Sequence, residues 1–428
     1  MDDFTILKLK GKFLGSIYQR PDRIRHFKYL GNSSLKKIQI TSKKEIKKDI
    51  VGHYIDFSFF RKILDINFNY NFIEVEVGIR LQELNNIIEK YGFNKIKYEE
   101  SNLTINNIIF SSIKSLPIKK IFTIDQNLSI EEVIFDGKNL NLIKDILNKK
   151  KLIYKLQLYL KKKNNFSYLP NFKKENIKHY NLIIGGSSGL GLDIAYELAS
   201  KGKNLYLISS SMLDLVPIKK DLEIRFRINV KIEGVNFEVF NYDELNNFNF
   251  FNKFVDVENI FFTIGRNIID DNFKKKKINL KLININLFSQ ISFLLHLSSN
   301  IKKFKVKNII FISSISSFFA SGLNLFYGMS KRALNSVVES FYFSRDSDFT
   351  KIQHYISGPL DTNMILSKKS IFPPVSTKKF AKLIISNLNK DVLYYFYPKY
   401  WRLVILILKF LPWRILRYFQ KKFINFKD

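Results

Sequence analysis

Residues Leu182-Ile-Ile-Gly185-Gly186-Ser187-Ser188-Gly189-Leu190-Gly191 decide how the rest of this 428-residue chain is read. Three apolar residues of strand type run into a glycine-rich turn, and Leu192–Ser200 beyond it carries helical spacing. A strand, a glycine turn and a helix in that order aim backbone N–H groups and the positive end of a helix dipole at a phosphate. Gly185 permits the tight turn, Gly189 lets a pyrophosphate come close, and Gly191 lets the helix lie on the strand. The spacing Gly-x-x-x-Gly-x-Gly predicts a dinucleotide site built from Gly185, Ser187, Ser188, Gly189, Leu190 and Gly191.

Working outward from this turn, short apolar runs alternate with longer mixed segments. Leu205–Ile208, Val230–Val235, Ile260–Phe262, Ile309–Ile312 and Ile352–Ile356 read as further strands, while Ile278–Leu297 and Lys331–Ser344 read as helices. The alternation predicts an α/β fold, a doubly wound parallel sheet covered on both faces, spanning residues 179–396. Before it, residues 161–178 (KKKNNFSYLPNFKKENIK) are polar, basic and broken by Pro170, which predicts a linker. Residues 1–160 are expected to form a small α+β domain. Beyond the sheet, residues 397–428 are apolar, aromatic and basic together. The run Leu403–Leu408 is far shorter than the ~20 residues that span a bilayer, and Pro412 divides the segment into two short helices. Trp401, Trp413, Tyr400 and Tyr418 with Arg402, Arg414 and Arg417 suit a pair of helices lying in a headgroup layer. The alternative is a tail docked on the protein itself or on a second subunit of a homodimer.

Tyr327-Gly-Met-Ser-Lys331 is the second informative motif. Tyr327 and Lys331 stand four residues apart, so on a helix they share a face. A phenol with an ordinary pKa near ~10 exchanges protons poorly at neutral pH, and an ammonium beside it favours the phenolate. Such a pair suits protonation of a carbonyl oxygen during hydride transfer.

Composition sets bounds. Net charge is +32, from 70 basic and 38 acidic residues. The lysines are scattered in short runs, which fits compositional drift toward Lys, Asn, Ile and Phe better than a nucleic-acid groove, with attraction to an anionic membrane as a second contribution. Cysteine is absent, which excludes thiolate nucleophiles and zinc thiolates and fits a reducing compartment. The first ten residues lack the apolar run of a secretory signal.

With these motifs the chain resembles the short-chain dehydrogenase/reductase family, and the resemblance implies further roles. Ser314 precedes Tyr327 by 13 positions, the family's usual gap, and would hold the substrate oxygen. Asn286 matches the family's fourth catalytic member, which carries a water-linked proton path to the lysine. Lys331 would also hold the cofactor ribose. At the end of the second strand, Ser209 and Ser210 offer neither an acid for a 2′-hydroxyl nor an arginine for a 2′-phosphate, so NAD and NADP both stay open. Asn236 stands where the family places an adenine-contacting Asp, and Gly265 stands in the segment where the family carries Asn-Asn-Ala-Gly. Pro359 and Thr362, in Ser357-Gly-Pro-Leu-Asp-Thr362, match the stretch over the nicotinamide with Gly and Pro in inverted order. Residues 366–380 are expected to form a mobile substrate lid.

Within that family, Phe326-Tyr-Gly-Met-Ser-Lys331, the Asn236-Phe-Glu-Val-Phe segment and the tail Tyr397-Pro-Lys-Tyr-Trp-Arg are similar to the reductase half of the decaprenylphosphoryl-ribose 2′-epimerases. That likeness implies reduction of a 2-keto sugar on a polyprenyl phosphate at the cytoplasmic face of a membrane, alongside a flavin-dependent oxidase partner. The pattern Tyr54-Ile-Asp-Phe and Phe72-Ile-Glu-Val-Glu-Val-Gly78 is in turn similar to the oxidase family. The glycine-rich flavin loop expected before Ile55 is missing, so residues 1–160 read as a truncated oxidase fragment without FAD.

Overall fold

The computed structural model describes residues 60–99, 102–125, 127–135, 151–163, 179–239, 256–267, 279–304, 306–319, 324–344, 350–362 and 373–419, with four positions between 142 and 149 and three short strands nearer the N-terminus. The chain divides into two units, one of residues 1–174 with 216–227 and one of residues 175–215 with 228–428.

The first unit is α+β, as expected. Strands β1 (Tyr18–Gln19), β2 (Ile38–Ile40) and β3 (His53–Ile55) form a parallel sheet in the order β1-β3-β2. Strands β4 (Ile63–Asn67), β5 (Phe72–Glu76), β6 (Ile118–Ile124), β7 (Ile130–Ile134) and β8 (Leu152–Tyr159) form an antiparallel sheet in the order β4-β5-β8-β6-β7. Helix α1 (Leu81–Lys90) follows the Val77-Gly78 turn and buries Leu81, Leu84, Ile87 and Ile88, a helical stripe that packs into the unit's core with Ile73 and Val75. Helix α2 (Ile105–Ser112) starts at Thr104, whose hydroxyl accepts from the Asn107 N–H. The expected boundary at residue 160 is corrected. Lys161 and Lys163 exchange backbone hydrogen bonds with Asn94 and Gly92, so the first residues assigned to the linker belong to this unit. The remainder of that linker, 164–178, lies outside the described residues. Residues 216–227 also count with this unit, where buried Asp221 accepts from the Ile63 N–H at 2.8 Å and from Arg225.

The second unit is the doubly wound sheet. Strands β9 (Tyr180–Ile184), β10 (Asn204–Ser209), β11 (Val230–Gly234), β12 (Val257–Phe262), β13 (Asn308–Ser314), β14 (Lys351–Ser357) and β15 (Tyr394–Tyr397) are all parallel, in the order β11-β10-β9-β12-β13-β14-β15. Strands β9 and β13 are buried at every residue, as a sheet covered on both faces requires. The order reverses beside β9, which puts the ligand crevice at the carboxyl ends of β9 and β12. Near the opposite ends, buried amides cross the sheet. Asn308 donates to Asn259 at 2.6 Å, Asn259 to Asn181 at 2.7 Å, and Asn181 to the Asn204 carbonyl at 3.3 Å.

The helices of this unit, with one shared, are α3 (Gly189–Ser200), α4 (Met212–Phe226), α5 (Leu280–Ile283), α6 (Ser289–Phe304), α7 (Leu325–Ser344), α8 (Thr377–Ser386), α9 (Trp401–Phe410) and α10 (Trp413–Phe419). A π-helical turn, Asn284–Phe288, joins α5 to α6. The stretch Leu280–Ser298 is apolar and long enough to cross a membrane, yet Asn286, Ser289, Gln290, Phe293 and Leu297 are buried inside the unit, which makes it a core helix. The lid expectation is corrected at its carboxyl end. Residues 363–372 lie outside the described residues, and Phe380 is a fully buried residue of α8, stacked on Tyr397 with ring centroids 4.3 Å apart.

His354, in the middle of β14, is fully buried between Phe311 and Tyr394, and neither ring nitrogen has a hydrogen-bond partner among the described residues. Burial, helped by the Lys331 charge, lowers its pKa to about 3. The unfolded ring titrates near 6.5. Below that pH the unfolded chain binds a proton that the native ring refuses, so stability is lost as pH falls from 6.5 toward 3. At pH ~5 this amounts to about 2 kcal/mol. Replacing His354 by Phe is expected to remove that slope, read as urea midpoints at neutral pH and near pH ~5. An equal acid loss in both proteins would show that the ring is not its source.

Candidate active site

The glycine turn takes the form the sequence predicts. Gly185 has φ +98° and Gly189 φ +54°, both in the left-handed region. A Cβ on Gly191 would stand 2.3 Å from the Gly185 carbonyl oxygen and 2.5 Å from Thr263 Oγ1, so α3 rests directly on the end of β9. Among the described residues no side chain caps the start of α3, which leaves its first N–H groups free to meet an anion. Thr362 covers the turn, its Cγ2 3.3 Å from where a Gly189 Cβ would be. Ser209 donates to Ser187 at 2.6 Å inside the fold, and Ser210 is exposed. Ser188 is half-buried and Leu190 is buried under the helix. This helix start, free of a side-chain cap and overlain by Thr362, fits a dinucleotide pyrophosphate.

The far side of the expected site differs in detail. Asn236 is exposed, and its Oδ1 accepts from the Glu238 N–H in a local turn. Gly265 lies beside the residues expected to be catalytic, since a Cβ there would be 3.5 Å from Lys331 Nζ and 3.8 Å from Asn286 Oδ1. Pro359 accepts from the Val375 N–H through its carbonyl.

The four residues expected to be catalytic come from three elements. Ser314 ends β13, Tyr327 and Lys331 occupy the first turns of α7, and Asn286 sits in the π turn. Tyr327 is half-buried. Burial raises its pKa, and a hydrogen bond with Ser314 pulls the other way. Lys331 is 4% exposed and donates to the Ile312 carbonyl at 3.1 Å. Desolvation brings its pKa down to about 8. The expectation that the ammonium tunes the phenol downward is therefore corrected: burial is the main influence on the phenol, and the ammonium turns toward the Ile312 and Ile264 carbonyls. Asn286 is completely buried, and its side chain accepts from the Arg266 N–H at 2.8 Å and donates to the Arg266 carbonyl at 2.9 Å. Its own carbonyl accepts from Gln290 Nε2 at 2.8 Å. A π turn interrupts the regular helical ladder, and such turns recur at functional sites.

Two sets of supporting residues escaped the sequence reading. Ser313 donates to Asn335 Oδ1 at 2.8 Å, Asn335 to Ser317 Oγ at 2.8 Å, and Ser317 to the Ser314 carbonyl at 2.6 Å. This buried chain locks the end of β13 to α7 and so sets Ser314 against Tyr327. Lys331 and Asn335 are one turn apart, and that spacing was the available signal. The second is Trp401, expected in a headgroup layer but 1% exposed. Its Nε1 stands 2.2 Å from where a Cβ on Gly358 would be, so the indole fills the space above that glycine.

Comparison with known proteins agrees with this geometry. Residues 180–370 match the family model described as short chain dehydrogenase. The chain is 38% identical over 78 residues to a very-long-chain 3-oxoacyl-CoA reductase of Candida glabrata, covering 18% of this chain and 22% of that protein. It is 39% identical over 69 residues to the protein of the same name from Kluyveromyces lactis, covering 16% and 20%. The matched stretch is thus about a fifth of the length of these curated relatives. Among solved structures, a short-chain dehydrogenase from Sphingobium yanoikuyae in complex with NADPH is 12% identical, with 58% of this chain and 97% of that one covered at a TM-score of 0.45. An alcohol dehydrogenase from Thermococcus sibiricus complexed with 5-hydroxy-NADP is 18% identical, with 51% and 95% covered at a TM-score of 0.44. Residues 180–370, which hold the glycine turn, Asn286, Ser314, Tyr327 and Lys331, are thus the part of the chain that is similar to the short-chain dehydrogenases.

Proposed function

We propose that the chain is an NAD(P)H-dependent reductase that converts a lipid-borne ketone to a secondary alcohol. The reading rests above all on Tyr327 and Lys331 standing one turn apart on α7, with Ser314 at the end of β13, in the unit that also carries the glycine turn. When bound, the nicotinamide supplies the hydride that reaches the carbonyl carbon. Gly185, Ser187, Ser188, Gly189, Leu190 and Gly191 would hold the pyrophosphate at the start of α3, Lys331 the ribose, and Thr362 the carboxamide side. Ser314 orients the carbonyl oxygen. Tyr327 delivers its proton to that oxygen as the C–O bond gains charge, so hydride and proton together complete the alcohol. Lys331 places positive charge beside the site, and Asn286 fixes the Arg266 backbone to the π turn.

A 2-keto sugar on a polyprenyl phosphate is the leading substrate, with the protein peripheral at the cytoplasmic face of a membrane and a flavin-dependent oxidase as the supplier of the ketone. Support comes from the epimerase-like segments and from the basic, aromatic tail. The first unit, in this reading, is the remnant of an oxidase module without flavin. A second reading, a 3-oxoacyl thioester, draws on the two reductases of that name that the chain matches over short stretches. The assay is oxidation of NADH or NADPH with each ketone in turn. Turnover of the keto sugar at least tenfold above the 3-oxoacyl thioester is expected (about 1.4 kcal/mol in barrier). The reverse order would favour the second reading, and no oxidation with any ketone would sink both.

A further inference from the structure

We infer that helix α9 is a two-faced docking element that seats the rim of the candidate site on an anionic lipid surface. The inference deepens the reductase reading and supplies its route for substrate.

One face of α9 is already used by the protein. Trp401 and Ile405 are buried with Ile315 and Ile356, and the partly buried Phe318 and Phe396 pack against them. Ile315 directly follows the last residue of β13, and Ile356 is the penultimate residue of β14, so α9 is packed at the carboxyl ends of these two strands. Among the described residues nothing covers the opposite face. Leu403 is 61% exposed, Leu406 53%, Ile407 52% and Phe410 81%. These four stand at i, i+3, i+4 and i+7, a single stripe turned about 180° from Trp401 on a helix of ~3.6 residues per turn. Trp413 and Tyr418 extend the exposed apolar surface along α10.

Charge identifies the occupant. Residues 392–427 contain eight Lys and Arg and no Asp or Glu. Arg402 and Lys409, both exposed, lie on the same flank of the stripe. A second copy of the chain would have to set these cations near one another without a carboxylate between them. Anionic headgroups neutralise them instead, while the stripe enters the acyl boundary. Ten residues of helix extend about 15 Å, half of a bilayer's hydrocarbon core, so α9 lies along the surface. A ketone carried on a lipid then reaches Ser314 and Tyr327 beside the helix that touches its membrane.

The test uses the full chain, sedimented with vesicles of phosphatidylcholine with or without phosphatidylglycerol, and a double variant, Leu406→Glu with Phe410→Glu. The wild type is expected to sediment with the anionic vesicles only. The variant should partition about a hundredfold less, keep its thermal midpoint and its reduction of a water-soluble ketone, and lose at least tenfold in rate on a vesicle-borne ketone. Sedimentation of the variant at wild-type level overturns the inference. So does a wild type that ignores both vesicles, or a variant whose only change is from dimer to monomer. The binding arm needs neither cofactor nor turnover, so failure of the reductase reading stays separately visible as a chain that binds vesicles and reduces nothing.

Discussion

Replacing Tyr327 by Phe is expected to slow ketone reduction by about a hundredfold to ten-thousandfold, the range that a positioned proton donor contributes. The change removes one oxygen from a half-buried ring and leaves the ring itself, which packs against the core of the second unit. Binding of the reduced cofactor, followed by fluorescence, and the thermal midpoint should therefore stay close to wild type. Because burial holds the phenol above its ordinary value, the donor form persists across neutral pH and reduction should not decline until alkaline conditions. Equal turnover by the two proteins would remove Tyr327 from the chemistry. A collapse of cofactor binding together with rate would instead make it a structural residue.

Lys331→Met is expected to move activity and stability in opposite directions. At neutral pH the native protein carries an ammonium that is 4% exposed, and its pKa has come down from 10.5 to about 8. Between those values the unfolded chain binds more protons than the folded one, so wild-type stability rises with pH across that window. Below it the full cost of the buried charge is present, at most about 3 kcal/mol. Methionine fills a similar volume without charge, although the Ile312 carbonyl loses its donor, at a cost of about 1 kcal/mol. The net gain at neutral pH is expected at about 1–2 kcal/mol by urea unfolding, shrinking as pH approaches ~10. Activity should fall by at least about a hundredfold, since the positive charge beside the site is gone. A variant less stable than wild type at neutral pH, with no convergence at alkaline pH, would contradict this account.

The parts of the fold legible in the sequence are those whose signal is local. The glycine turn needs no distant partner to be recognised, because Gly185, Gly189 and Gly191 each answer a constraint within a few residues. Four strands of the parallel sheet, β9, β10, β12 and β13, read as unbroken apolar runs because both faces are covered. Tyr327 and Lys331 were visible through helical spacing alone, whereas Ser314 and Asn286 needed the family resemblance. What escaped depends on contacts far along the chain. Strand β15 is four half-buried aromatic residues, indistinguishable by pattern from the aromatic tail that follows. Helix α4 carries Pro217 in its sixth position, which reads as a break. Helix α8 opens with Thr377-Lys-Lys, polar enough to pass for a loop, although Phe380, Ala381, Ile384 and Ile385 form its buried stripe. Trp401 looked like an interfacial aromatic because nothing nearby in sequence announces Gly358 as its seat.

The amides of Asn181, Asn259 and Asn308 give the parallel sheet a property its apolar residues cannot supply. Hydrophobic runs of Ile, Leu and Phe tolerate sliding by two residues, since every second side chain looks alike. A slide here would tear amide from amide in a dry interior, where each orphaned group costs about 1–3 kcal/mol. The base of the sheet thus works as an indexing pin that rejects misaligned strands before any ligand arrives.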